Sequence, residues 1–382
     1  MTTATAPTRQ SIAKRVRLAR EQAGLRQEDI AGRLGIPRPS VTEIEAGRRD
    51  ISSVELAVLA DMLGKPIEWF VAAEGQFDPE AWNPVNFHLR GGDLTDDDRR
   101  ALLGFASRCA EYASLEVLLD VRPEIPHVRY GRLTGRHIDQ GRVVALAERQ
   151  RLQLGARPIG DVVALLELQG VKVLDWPMAV ESAIDGALFA SEETGPCILV
   201  NEDEVWTRRQ FSAAHEYAHL LLDVDGDRAE VCFRNGQGLA EKRANAFAAE
   251  FLSPTDGVLE FLATLEVPAK RPVSIADVIE LQRYFQVSYD ATLWRLLNLG
   301  LIAEPQRQEF VAFKPSALAR RLGYEPNNVQ PKGPVSRRFR QLAIRAWQAG
   351  KITRGRLAEL LDVPKRDLDG LPGELAGLGV GG

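Results

Sequence analysis

The sequence predicts a mainly α, multidomain fold. An all-α helix-turn-helix domain opens the chain, an α+β domain with a small sheet fills the middle, and a helical module closes it. Three observations carry this expectation. The 382 residues exceed what one hydrophobic core usually serves. Short apolar-periodic segments between residues 10 and 64 are parted by glycines, as in a small helical bundle. Between residues 171 and 201, three short strand patterns run up to one long uninterrupted helix.

Composition narrows the class. Hydrophobic residues at 45% and charged residues at 26% are ordinary for a globular protein. A formal net charge of -5 gives no global attraction to nucleic acid or anionic membrane, so a DNA-binding surface has to be local. Cys109, Cys197 and Cys232 form no Cys-x-x-Cys pair, which points to buried thiols in a reducing compartment. The N-terminus lacks an apolar signal core, and no run approaches the roughly 18 apolar residues of a membrane span. A cytoplasmic protein without a membrane partner is expected.

The first domain is expected over residues 1–73. Residues 10–23 read as an amphipathic helix with Ile12, Val16 and Ala19 inward, ended by Gly24. Two short helices then carry Ile30, Ala31, Leu34, Val41 and Ile44 around a turn at Gly35, the helix-turn-helix pattern. This stretch resembles the Xre/phage-repressor helix-turn-helix family over residues 10–70. Gln27, Ala31, Gly35, Glu45 and Gly47-Arg48-Arg49 match, and Leu56–Gly64 matches the closing helix. The resemblance implies a recognition helix from Pro37 to Ala46, with Arg38, Ser40, Thr42 and Glu43 on or near the groove-facing surface. Gln27, Arg48 and Arg49 are expected at phosphates, which position a protein without reading bases. Pro39 departs from the pattern, leaving one fewer hydrogen bond for base reading. The implied partner is a double-stranded DNA operator, read as a homodimer.

Residues 74–135 read as a linker and connector helix. Glycines and prolines make 74–94 an irregular junction, and Thr95 with an acidic first turn starts a long helix to about Asp120. That helix is expected either to pair with a second copy or to pack on its own chain. His88, His127 and His137 stand alone in loop-like or polar contexts and read as surface or structural histidines, not ligands.

The middle domain is expected over residues 136–304. Helices at 140–154 and from Asp161 precede strands at 171–174, 185–190 and 196–201. The helix after them holds His215-Glu216-x-x-His219, two imidazoles one turn apart on one face with a carboxylate a quarter-turn away. A chance match somewhere in the chain has odds on the order of one in a hundred, so the pattern calls for a third ligand. The helix at 240–252 offers Glu241 and Asn245 on one face; Glu241 completes a His, His, Glu set, and Asn245 can orient a histidine. Glu230, close behind His219, and Glu250, on another face of that helix, are competitors. The strand ending at Asn201 is expected to offer an edge for an extended peptide.

Arg209–Leu222 followed by Glu241-x-x-x-Asn245-x-Phe247-Ala-Ala-Glu-Phe-Leu-Ser-Pro254 resembles the ImmA/IrrE family of metallopeptidases across residues 140–300. The resemblance implies a minimal zincin (thermolysin-like, gluzincin) fold with one Zn2+ per chain. It assigns His215, His219 and Glu241 to the metal and Glu216 to the general base. It also implies a helix-turn-helix repressor as substrate, and with the DNA reader attached the expected target is a repressor, a toxin partner or the chain itself, cut in a stress, phage or toxin–antitoxin response. Asp223, where histidine is frequent, and Ser253-Pro254, where Met-Pro is usual, depart from the pattern. Tyr217, Tyr284, Tyr289 and Arg295 are oxyanion-stabilising candidates by type alone. The alternative is a non-proteolytic repressor or antitoxin-like regulator whose zincin domain only senses a ligand or partner.

Residues 305–382 are expected to be a helical module with a flexible tail. A loop-rich stretch runs to Val335, and a basic helix pair follows from Arg337 to Leu361. Its Arg337, Arg338, Arg340, Arg345, Lys351, Arg354 and Arg356 would suit a second nucleic-acid contact, but without a recognition-helix pattern it reads first as a packing or partner module. The glycine-rich end reads as frayed.

Overall fold

The computed structural model describes residues 8–63, 65, 67–71, 87–90, 94–123, 129–130, 133–179, 181–191, 194–223, 228–233, 238–269, 271–313, 315–324 and 336–370. The expectations for His127 and for the end beyond Gly370 lie outside these residues. No helix among them is long and apolar enough to cross a membrane.

Five helices form the first unit: α1 (Arg9–Gln22), α2 (Gln27–Leu34), α3 (Arg38–Glu45), α4 (Ser53–Met62) and α5 (Ile67–Val71). Val16, Ile30, Val41, Ile44, Leu59, Leu63 and Phe70 fill its core. Gly35 ends α2 at φ 65°, a left-handed conformation that costs glycine least and turns the chain into α3.

Five strands build the sheet: β1 (Phe87–Arg90), β2 (Lys172–Trp176), β3 (Ile184–Ser191), β4 (Gly195–Asn201) and β5 (Arg228–Phe233), in the order β1-β5-β3-β4-β2. The three central expectations were right in place. Two strands were missed: β1 lies inside the junction read as irregular, and β5 follows the metal-motif helix. Four- and six-residue strands carry too little local pattern and exist by pairing with partners distant in sequence. β3 runs antiparallel to both β4 and β5, while β1 pairs β5 in parallel. The strand expected to offer a peptide edge is therefore interior, since β4 is paired by β2 and β3.

Side chains of the inner strands alternate between two cores, the period-2 consequence of the pleat. Val173, Leu188, Ile198 and Val200 face one. It is shared with α7 (His137–Arg151), α8 (Val162–Leu168), α9 (Trp206–Leu222), α10 (Leu239–Leu252), α11 (Thr255–Thr264), α12 (Ile275–Phe285) and α13 (Tyr289–Asn298). Leu174, Ala187, Cys197 and Leu199 face the other. There they meet α6 (Asp96–Leu119), α16 (Arg337–Gln348) and α17 (Arg354–Leu361).

Of the two expectations for the connector helix, packing on its own chain is what is seen. Trp176 donates its indole N–H to the Ala101 carbonyl at 2.8 Å, and a Cβ on Gly104 would lie 3.0 Å from that ring. The loop-rich reading after Pro305 is corrected by two short helices, α14 (Glu304–Val311) and α15 (Pro315–Arg321). Pro305 sits in the first turn of α14, where its missing N–H would have no partner anyway, so it starts the helix instead of breaking it.

Candidate functional site

α9 and α10 cross with His215, His219 and Glu241 facing one another, all three buried. His215 Nε2 lies 3.1 Å from Glu241 Oε2 and 3.1 Å from His219 Nε2, and His219 Nε2 lies 3.3 Å from Glu241 Oε1. The outer nitrogens are held from behind. Asn245 Oδ1 accepts from His215 Nδ1 at 3.0 Å, and Asp223 Oδ2 accepts from His219 Nδ1 at 2.6 Å. Arg243, two residues on from Glu241 in α10, fixes Asp223 through its other oxygen.

With both Nδ1 protons committed, both Nε2 lone pairs point at each other and at a carboxylate. Such an arrangement is repulsive unless a cation lies among the atoms. A proton on His219 meets the same need. Burial disfavours a charged His219, but the hydrogen bonds of Asp223 and Glu241 outweigh it and push its pKa up to about 9. Burial likewise opposes the Glu241 carboxylate, yet His215 and His219 hold it well below the usual carboxylate range. The spacing also suits a particular ion size. Tetrahedral nitrogen and oxygen ligands at zinc distances stand about 3.3 Å apart, close to the three separations found here.

Glu216 is 1% exposed and turns from the histidine face toward β3. A Cβ on Gly186 of that strand would meet Glu216 Oε1 at 2.6 Å, so only glycine lets the carboxylate lie there. The register of β3 against β5 shifts between Ile184 and Gly186, a local irregularity of the kind that re-aims a strand beside a site.

Glu250 and the oxyanion candidates are occupied elsewhere. Glu250 pairs with buried Arg295 at 2.7 Å and accepts from Thr255. Tyr217 donates to Glu148 at 2.5 Å, on the core side of α9. Tyr289 donates to the Phe310 carbonyl at 3.1 Å, and Tyr284 stacks on Phe261. The Glu230 side chain lies outside what is described. Sequence reasoning missed Asp223, seen only as a departure from the family pattern, together with Arg243 and Gly186. Asp223 was findable, since i,i+4 spacing from His219 sets it one turn on.

In the helix-turn-helix, Glu45 is a hub: Arg20 Nε donates to it at 2.6 Å and Gln27 Nε2 at 2.9 Å. Thr42 Oγ1 closes the cluster onto Gln27 at 3.1 Å, so Gln27 clamps α2 on α3. Arg38 and Thr42 are exposed and Ser40 half-buried on α3, with Pro39 in its first turn. Arg38 pairs with Glu28 at 3.1 Å. Glu43 pairs with Arg48 at 2.7 Å, and Arg49 with Glu55 at 2.6 Å. The first is a surface contact of small worth that a phosphate can replace, and the second is partly buried.

Fold and site together define a class: a helix-turn-helix DNA-binding unit joined to a metallopeptidase-type unit. Comparison with known families agrees. Residues 16–70 match the helix-turn-helix family model, and residues 167–297 match the IrrE N-terminal-like domain of the M78 peptidases. The chain is thus a fusion of the two, a regulator-type architecture with a protease-like domain. The second match contains the whole His215, His219, Glu241 and Asn245 cluster and ends within α13; α6 and the α16–α17 pair lie outside it. No curated protein matches the chain.

Proposed function

We propose that the chain is a DNA-bound regulator carrying one Zn2+ at His215, His219 and Glu241, and that it cuts a repressor, a partner protein or itself. The observation supporting this is the trio of donor atoms 3.1–3.3 Å apart, each histidine backed by a dedicated acceptor. Bound there, zinc would acidify a water and polarise a scissile carbonyl. Glu216 accepts the proton of the attacking water and passes it to the leaving amine, so that the amide departs as a neutral amine. Asn245 and Asp223 hold the imidazoles with Nε2 inward, and Arg243 holds Asp223. On the DNA side, Arg38, Ser40, Thr42 and Glu43 meet the groove and Arg48 and Arg49 meet phosphates in a dimer, while Gln27, expected at a phosphate too, holds α2 on α3 through Glu45 and Thr42.

One observation favours a second reading. β3, the strand beside Glu216, is paired on both sides by its own chain. An extended substrate has to displace β5 or enter elsewhere, and a sensor domain that cuts nothing needs neither. Comparing protein N-termini in cells making the wild-type chain or Glu216→Gln separates the two. New termini in helix-turn-helix proteins or in the chain itself, present only with the wild type, are expected. Identical termini with intact DNA binding would leave the sensor reading.

A further inference from the structure

The helix pair at the C-terminus packs by one face and leaves the other unexplained. Phe339, Leu342, Ala343 and Ala346 of α16 are buried against α6 and the sheet. Three of its five outward positions, Arg337, Arg340 and Arg345, are arginines, beside Gln341 and Gln348. α16 contains four arginines and no acidic residue, and residues 336–370 hold nine Lys and Arg against four Asp and Glu, opposite in sign to a chain of net charge -5. All four acids, Glu359, Asp362, Asp367 and Asp369, come after α16 has ended. Arg338 is spent internally on Glu116 and Tyr112, and Arg356 on Glu111. Arg337, Arg340 and Arg345 are exposed, and among the described residues none of the three makes an ion pair. Lys351 and Arg354 are exposed at the following turn, where they donate to the Leu118 and Lys365 carbonyls.

We propose that the outer face of α16, through Arg337, Arg340 and Arg345, is a second DNA contact that grips duplex backbone without reading sequence. Unpaired guanidiniums on a rigid helix are matched to phosphate oxygens, and clustering them on one small surface of an acidic chain gives a local attraction where the whole molecule repels. A polyanion is the occupant this charge pattern fits, and the chain already carries a DNA reader at its other end. Tethered to that reader, a weak backbone contact raises overall affinity by effective concentration, with no base contacts of its own. The α17 turn shows no reading helix of its own, which agrees with a backbone grip.

The test uses the full chain and a fluorescent 30-base-pair duplex of arbitrary sequence. Arg337→Gln, Arg340→Gln and Arg345→Gln are combined, in the wild type and in an Arg38→Glu background that repels DNA from α3. The three sites are exposed, so the melting temperature should hold, which checks folding. The triple variant is expected to bind about tenfold more weakly at 0.1 M salt, with the slope of log affinity against log salt shallower by about 2 to 3. Residual binding in the Arg38→Glu background should vanish with the triple change. Unchanged affinity and slope in both backgrounds would overturn the proposal, while leaving the helix-turn-helix reading to stand on the effect of Arg38→Glu alone. Binding to phosphatidylglycerol vesicles that the triple variant loses, with DNA binding untouched, would overturn it in favour of a membrane.

Discussion

At the scale of single residues, the arrangement turns on which lone pairs face inward. Asp223 and Asn245 decide this by accepting the Nδ1 protons of His219 and His215, leaving both Nε2 atoms for one ion. Asp223→Ala should weaken zinc binding about 10- to 100-fold, as loss of such supporting partners commonly does, while leaving the fold intact. Zinc titration against a chelator reads this directly, and unchanged affinity would mean that Asp223 only caps α9. The histidine pair and Glu241 were legible in the sequence because helical spacing is a local rule: one turn apart, one face, one helix each. Asp223 falls under the same local rule, as the i,i+4 partner of His219, but the family pattern favours histidine there and so gives an aspartate no role. Gly186 was not legible, since a strand glycine announces itself only when another element's carboxylate comes to rest on it.

Among elements, the polar junction between α6, α8, β2 and α16 binds the back of the sheet. Glu116 pairs with Lys172 at 2.9 Å and with Arg338, and both Glu116 and Lys172 are essentially unexposed. Tyr112 donates to Glu167 at 3.0 Å. Burial pushes Glu167 up to about 7, against the opposing pull of Ser336, Tyr112 and Arg338. Because the folded pKa lies above the unfolded one, the folded chain binds the extra proton between about pH 4.5 and 7. The stabilisation from neutral Glu167 is therefore full below that window and lost as pH rises through it. Glu167→Gln should flatten this fall, making the variant's stability relative to wild type improve from pH 5 to pH 8. Urea denaturation at the two pH values measures it, and a parallel pH response in both chains would contradict the assignment. None of these pairings could be read ahead, since they join residues more than fifty positions apart. The helices themselves were legible, α6 from its Thr95 start and periodicity and α16 from its helix-turn-helix-like pattern.

For the whole molecule, the fold class was legible and the sharing of cores was not. The sequence pattern separates a connector, a central domain and a C-terminal module, whereas the structure lays α6 and the α16–α17 pair over one face of the sheet whose other face supports α9 and α10. Sheet strands that alternate between two buried faces need cover on both, and a strand pattern cannot say which distant helix supplies it. Phe339 sits in this shared layer, edge-on to Tyr112 with ring centroids 5.2 Å apart. Phe339→Ala should cost about 3–5 kcal/mol and lower the melting of the sheet-containing unit as a whole. A separate low-temperature transition, with the remainder melting as in wild type, would instead mean that the C-terminal pair folds by itself.

The central claim is that His215, His219 and Glu241 hold a metal on which Glu216 acts. Elemental analysis of the purified full chain, with Glu241→Ala and Glu216→Gln beside it, tests this most directly. About one zinc per chain is expected in the wild type and in Glu216→Gln, with loss in Glu241→Ala. A wild-type chain without stoichiometric metal, or zinc that persists undiminished in Glu241→Ala, would contradict it.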